Sequence, residues 1–270
     1  MEKTIVLVHG AWLTPASWDL FRSLYESRGY RVLAPAWPGL EGPLSTLRHG
    51  VPAAMARRTI KDLVDHYART IQALPSAPIL VGHSFGGLIV QLLADRGLGC
   101  AAVAIDPAPP RGVFPPPSAL KAALPVLLTW AGWNRVHTMG FKGFCATFAN
   151  TLPPAGQREA YDSFIVQAPG RIYFQAAFGI GNGLDFGNRK RPPLLLIAGE
   201  EDRTAPASMV RANAKRHGKS PVRVDYREFA GRSHWLVREP GWEAVAEAAL
   251  DWAEQVTGSA TSAKDQATAA

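Results

Sequence analysis

Cysteine is scarce: Cys100 and Cys145 are the only two in 270 residues. Two cysteines so far apart make neither a disulfide framework nor a zinc-ligand pattern, and both are expected to be free, buried thiols. Long apolar runs are missing too. None reaches the roughly 18 residues that a membrane span requires, and the nearest approach, 119–133, is interrupted by Lys121 and Pro125. The opening MEKTIVLVHG lacks the basic start, apolar segment and small-residue cleavage site of a secretory leader, so a cytoplasmic protein is expected. The net charge is +7, yet no basic stripe accompanies it. The longest basic run, Arg189-Lys190-Arg191 beside Pro192-Pro193, reads as a short solvated loop. Nucleic-acid binding, which would need such a stripe with spaced aromatics, is not expected. With 47% hydrophobic and 19% charged residues, the chain can bury a sizeable core.

What is present is an alternation of short β-type runs with longer helical ones, without internal repeats. TIVLV at 4–8 is a near-continuous apolar run of the kind found in buried parallel strands. Further strands are expected at 31–34, 78–82, 101–105, 193–198 and 222–229. Helices are expected at 15–28, 59–74, 88–95 and 241–256, the second with Ile60, Leu63, Val64, Tyr67 and Ile71 on one stripe. Strands alternating with helices imply an α/β fold with a mostly parallel sheet covered on both faces. From the proline-rich PAPPRGVFPPP at 107–117 the rhythm is lost until about 190. The expected organisation is a core of 1–108 and 191–256, an inserted, mainly helical segment at 109–190, and a frayed tail at 257–270.

Gly82-His83-Ser84-Phe85-Gly86 is a G-x-S-x-G pentapeptide at the end of a buried strand and the start of a helix, the strand–turn–helix setting of a nucleophilic serine. Glycine on both sides permits a sharp turn that exposes the hydroxyl. A serine needs a base, and the base an orienting acid. His234, in GRSHW just past the last strand, is the candidate base, while His9 and His83 lie in motif turns that favour backbone hydrogen bonds. His49, His66, His137 and His217 lie in polar surroundings and are expected at the surface. Asp202 is the favoured acid, because it lies furthest along the loop after the strand PLLLIA. Glu200, Glu201 and Asp106, the last also at a strand end, remain its rivals. Oxyanion donors are expected from the N–H of Ala11, after Gly10, and the N–H of Phe85.

Together, HGAW (9–12), GHSFGG (82–87), GEEDRTAP (199–206) and GRSHW (231–235) resemble the α/β-hydrolase superfamily over residues 4–256. The nearest likeness is to esterase-like members with a helical cap, including the plant methylesterase and hydroxynitrile lyase group. That resemblance implies Ser84 as nucleophile, His234 as base, Asp202 as acid, Ala11 and Phe85 as oxyanion donors, 109–190 as the cap, and no metal or organic cofactor. It disfavours the dehalogenase and epoxide hydrolase branches, which carry aspartate where Ser84 stands.

The 109–190 segment holds 12 of the 25 aromatic residues, and 8 Lys and Arg against 3 Asp and Glu. The expectation is an apolar pocket under a basic lid, with Trp12 and Trp235 contacting substrate. The resulting reading is a serine hydrolase of hydrophobic acyl or aryl esters, its partner a small-molecule ester, monomeric or homodimeric. A C–C bond hydrolase, lactonase or lyase using the same residues, or a non-catalytic ligand receptor, are the alternatives.

Overall fold

The computed structural model describes residues 3–268. Its strands are β1 (Thr4–Val8), β2 (Arg31–Leu33), β3 (Ile79–His83), β4 (Ala101–Ile105), β5 (Val136–His137), β6 (Ala168–Pro169), β7 (Leu194–Gly199) and β8 (Val224–Phe229). Six of them form one sheet in the order β2-β1-β3-β4-β7-β8, every neighbouring pair parallel. Because all six run the same way, the loops after β1, β3, β4, β7 and β8 emerge along one edge. That edge carries every candidate site residue named above.

Helices α1 (Asp19–Ser27), α2 (Leu44–His49), α3 (Ile60–Gln72) and α4 (Phe85–Asp95) connect the first four strands. Between β4 and β7 lie α5 (Pro117–Leu127), α6 (Phe141–Gly143), α7 (Pro154–Phe164) and α8 (Gly170–Phe178), with the small antiparallel pair β5–β6. Helices α9 (Ala207–His217) and α10 (Trp242–Thr268) complete the chain. Helix α3 starts where Thr59 accepts from the Asp62 N–H and the Asp62 carboxylate accepts from the Thr59 N–H, a reciprocal cap that satisfies two end donors. Among the described residues no helix is long and apolar enough to cross a membrane.

Strand periodicity divides the core in two. Ile5, Leu7, Val81, Val103 and Ile197 face Phe21 and Tyr25 of α1 and Val245 and Ala249 of α10. Val6, Val8, Leu80, Ala104 and Leu196 face Leu63 and Tyr67 of α3 and Leu88 of α4. Burial on both faces is why these strands read as continuous apolar runs.

Several sequence expectations need correction. The expected helix at 15–28 is a 3₁₀ turn, Pro15–Trp18, followed by α1, since Pro15 suits only the first turn. Helix α10 runs on to Thr268, into the segment expected to fray; its alanines favour helix. Cys100 and Cys145 are free but only half-buried. Arg191 is buried rather than solvated, because its guanidinium donates to the Pro192 and Val222 carbonyls. His217 is buried too, and its Nε2 lies 3.1 Å from Gln91 Oε1.

Helix α4 packs directly on the backbone of β1 and β3. A Cβ on Gly86 would lie 2.0 Å from the Val8 carbonyl oxygen, and one on Gly82 would lie 2.2 Å from the Gly86 carbonyl oxygen. Neither obstacle is a movable side chain. Gly86→Ala is expected to lower unfolding free energy by about 3 kcal/mol or more, measured by chemical denaturation. Gly140→Ala, where a Cβ meets nothing within 4 Å, is the control and should change stability by less than about 0.5 kcal/mol.

Candidate active site

Ser84 sits between β3 and α4 with φ 57° and ψ −123°, a left-handed conformation unusual for a residue with a Cβ. Backbone bonds hold it there. Its N–H donates to the Ile105 carbonyl at 2.9 Å, and its carbonyl accepts from the N–H groups of Leu88 (3.2 Å) and Ala108 (3.0 Å). The side chain makes no capping bond to α4 and lines a cavity of about 410 Å³. The helix begins at Phe85, three residues before the expected Leu88, so its N-terminus lies directly behind the serine.

His234 comes from the loop after β8. Its Nδ1 lies 2.6 Å from Asp202 Oδ2, with both side chains fully buried. Asp202 Oδ1 accepts from the N–H groups of Thr204 (2.6 Å) and Ala205 (2.8 Å). The other ring nitrogen, His234 Nε2, is buried without a hydrogen-bond partner among the described residues. Of the rival acids, Glu200 turns away to accept from the Gly231 N–H, and Glu201 is exposed. Asp106 is fully buried at φ 42°, its Oδ2 4.0 Å from His234 Nδ1. Burial, then the Asp202 charge, push its carboxyl well above the usual carboxylate range.

His83 fastens the serine turn to the histidine loop. Its Nε2 lies 2.8 Å from the His234 carbonyl oxygen, and the two imidazoles pack tilted at 46° with centroids 4.6 Å apart. Since a carbonyl only accepts, Nε2 carries the proton. His83, Asp106 and His234 could each offer a metal ligand atom within 4.8 Å of the others. His83 Nε2 and His234 Nδ1 are already engaged by protein groups, however, which makes the cluster a hydrogen-bonded assembly.

The loop after β1 supplies Ala11 and Trp12. A Cβ on Gly10 would lie 2.9 Å from Ser84 Cβ, so only glycine lets this loop approach the serine so closely. Ala11 and Phe85 are both buried, and their N–H groups make no hydrogen bond among the described residues. His9 anchors the loop: Nε2 accepts from the Trp37 N–H at 3.1 Å, leaving Nδ1–H to donate to the Gly10 carbonyl at 2.9 Å. Trp12, at φ 63°, reaches over the site. Its Nε1–H donates to the His137 carbonyl at 3.1 Å, its carbonyl accepts from the Val166 N–H at 2.9 Å, and its ring packs on Tyr173 at 4.9 Å.

Trp12 and Phe85 line the cavity with Ser84, Tyr173, Val113 and Met209, and Arg111 adds a positive charge. Trp235 does not line it. That residue is 2% exposed and packs against Phe148 and Phe164, because the chain after His234 turns inward. Phe114 and Phe178 also line the cavity yet are 85% and 72% exposed, which makes its mouth apolar. Sequence reasoning did not single out Tyr173, which belongs to no motif, or Thr204, which lies in GEEDRTAP and lines the cavity two residues after Asp202.

A model described as the alpha/beta hydrolase family matches residues 5–248. The chain belongs to the alpha/beta hydrolase family. A pyrethroid hydrolase from Sphingobium wenxiniae is 32% identical over 96 residues, covering 34% of this chain and 30% of that protein. The chain therefore spans less than a third of this curated relative. Among solved structures, the monoacylglycerol lipase of Paleococcus ferrophilus superposes with a TM-score of 0.67 at 20% identity over 93% of each chain. A pyrethroid hydrolase from Sphingobium faniae JZ-2 gives 0.67 at 22% identity over 94% of this chain and 98% of that one. At such identities the likeness is one of fold. The order Ser84, Asp202, His234 along the chain is that of an alpha/beta hydrolase.

Three buried histidines give this fold an acid limit. Burial pushes His9 down to about 4 and His217 to about 3, and holds His83 well below the ordinary value. All three stay neutral when folded but charge when unfolded below about pH 6.5. The unfolded state then binds more protons, so stability falls as pH drops from 6.5 toward 4. Asp106 opposes this by at most one proton. Urea midpoints measured between pH 7 and 4.5 should fall steadily; a constant midpoint would contradict the assignment.

Proposed function

We propose that this hydrolase cleaves carboxylic esters of hydrophobic acyl or aryl groups through a covalent acyl-serine. The observation that carries the reading is the His234 imidazole. One nitrogen is bound to the buried Asp202 carboxylate at 2.6 Å, and the other is without a partner. Such a ring is a base awaiting a proton. Ser84 Oγ gives its proton to His234 Nε2 and attacks the ester carbonyl carbon. Asp202 holds the ring with Nδ1 protonated and stabilises the imidazolium. The carbonyl oxygen, now negative, accepts from the Ala11 and Phe85 N–H groups. Collapse of the tetrahedral intermediate expels the alcohol, which takes the proton from Nε2. Water repeats the sequence, with His234 as base, and releases the acid and free Ser84.

The substrate class follows from the cavity. Its apolar walls and the exposed Phe114 and Phe178 at its mouth suit an apolar acyl or aryl group. The relatives named pyrethroid hydrolase and monoacylglycerol lipase support ester cleavage at the same coarse level.

A series of p-nitrophenyl esters, acetyl to palmitoyl plus benzoyl, tests this with wild type and Ser84→Ala side by side. Ser84→Ala should lower kcat by about a thousand-fold or more; turnover near wild type would overturn the assignment. Butyryl should exceed acetyl in kcat/KM by about tenfold, since two buried methylenes contribute about 0.8 kcal/mol each. Serine-independent behaviour, or turnover only of lactone or cyanohydrin substrates, would replace the esterase reading.

A further inference from the structure

Asp106 is a second carboxyl inside the site, and the mechanism above gives it no task. It has no solvent exposure and is held at φ 42°, a conformation that L residues rarely adopt. The strain is fixed by backbone bonds on both sides: the Asp106 N–H donates to the Ile197 carbonyl at 2.8 Å, and Oδ1 accepts from the Gly199 N–H at 2.8 Å. Both partners belong to β7, the strand that leads to Asp202. The remaining oxygen, Oδ2, is buried and receives no donor among the described residues. It lies 4.0 Å from His234 Nδ1, whose bond goes to Asp202 Oδ2 at 2.6 Å.

Donor counting decides which carboxyl is charged. Asp202 receives two backbone N–H groups and the imidazole. Asp106 receives one N–H. Hydrogen bonds to the anion favour the anion, and two adjacent carboxylates in a dry site cannot both ionise. An Oδ2 without a donor also costs least when it carries a proton itself and faces an acceptor. The acceptor on that side is the Asp202 carboxylate, whose Oδ2 lies 2.6 Å from the same His234 Nδ1 that Asp106 Oδ2 approaches to 4.0 Å.

Resting on the hydrolase reading above, we propose that Asp106 is a positioning residue: a neutral carboxylic acid whose Oδ2–H donates to Asp202 and holds that carboxylate against His234. A donor on Asp202 also shares out that carboxylate's negative charge and so weakens its pull on the imidazolium. The ionisable groups facing this assembly are Asp202 on the loop after β7, His234 on the loop after β8, His83 on β3 and, further off, Glu239 beyond the histidine loop.

The test compares wild type with Asp106→Ala and Asp106→Asn. The asparagine amide can donate to Asp202 and accept from Gly199, and it tolerates positive φ. Asp106→Ala should lower kcat about tenfold or more with little change in KM, and move the acid limb of kcat/KM to higher pH. Asp106→Asn should restore both. Loss of both in Asp106→Asn, or an acid limb unmoved in Asp106→Ala, overturns the proposal. Infrared difference spectroscopy reads the proton without any activity, and so separates this proposal from the esterase reading. Wild type at pH 7 should show the carbonyl stretch of a protonated carboxyl group that Asp106→Asn lacks. If wild type lacks that band, Asp106 is ionised and the proposal fails, whatever the enzyme hydrolyses. If Asp106→Ala does not fold, the band together with stability decides. Asp106→Asn should gain stability over wild type as pH rises from 5 to 8, because only the unfolded wild type releases that proton. An unchanged difference overturns the proposal.

Discussion

The close passage of α4 over β1 is the contact on which the site depends. With glycine at 82 and 86, the helix backbone reaches the Val8 carbonyl, and the chain must reverse within Ser84 alone. That reversal takes the serine off the strand direction and turns its hydroxyl toward the cavity. It also puts the first free amide of α4, that of Phe85, beside the hydroxyl. Gly10 performs the complementary service from β1, where the loop bearing Ala11 comes within reach of Ser84 only because no Cβ intervenes. The exposed serine, both candidate oxyanion donors and the helix end behind them are thus consequences of one backbone-to-backbone approach.

The charged half of the site follows a different rule. Asp202, His234 and Asp106 are all taken out of water, which is costly unless each polar atom finds a partner. The partners are mostly main-chain: two amides for Asp202, one for Asp106, and the ring of His83 for the His234 carbonyl. Because these donors sit on β3, on β7 or in the short loop that follows β7, the imidazole is oriented before any substrate arrives.

Much of this was legible in sequence where chemistry and periodicity coincide. The bounds of β1 and β4 match expectation because both are short apolar runs buried on both faces. The serine pentapeptide is legible because only glycine permits its turn. The choice among Glu200, Glu201 and Asp202 is less so: three acids share one loop, and only its folding sends Glu200 to the Gly231 amide and Asp202 to His234. Helix α9 has no sequence signature, since two of its five buried residues, Asn213 and His217 beside Ala207, Met209 and Val210, are polar. Asn213 and His217 are buried because Gln91 of α4 meets both. The burial of Arg191 likewise depends on carbonyls of a distant strand end. In each case a polar residue is inside because of a partner remote in sequence, which a pattern along the chain does not encode. Trp235 shows the converse: it is adjacent to His234 in sequence, but its side chain is directed into the aromatic core.

Trp12 binds the β1 loop to the helical segment through its indole N–H, its carbonyl and its ring. Exchanging that segment for one from another hydrolase, to graft a new specificity, is therefore not a free choice of walls. A transplant without a carbonyl at the place of His137 and an amide at that of Val166 would leave two dry polar groups unpaired, on a residue already held at positive φ next to Ala11. The scaffold and its insert are matched at this one residue, and a chimera designer must carry Trp12's partners across or replace the tryptophan with them.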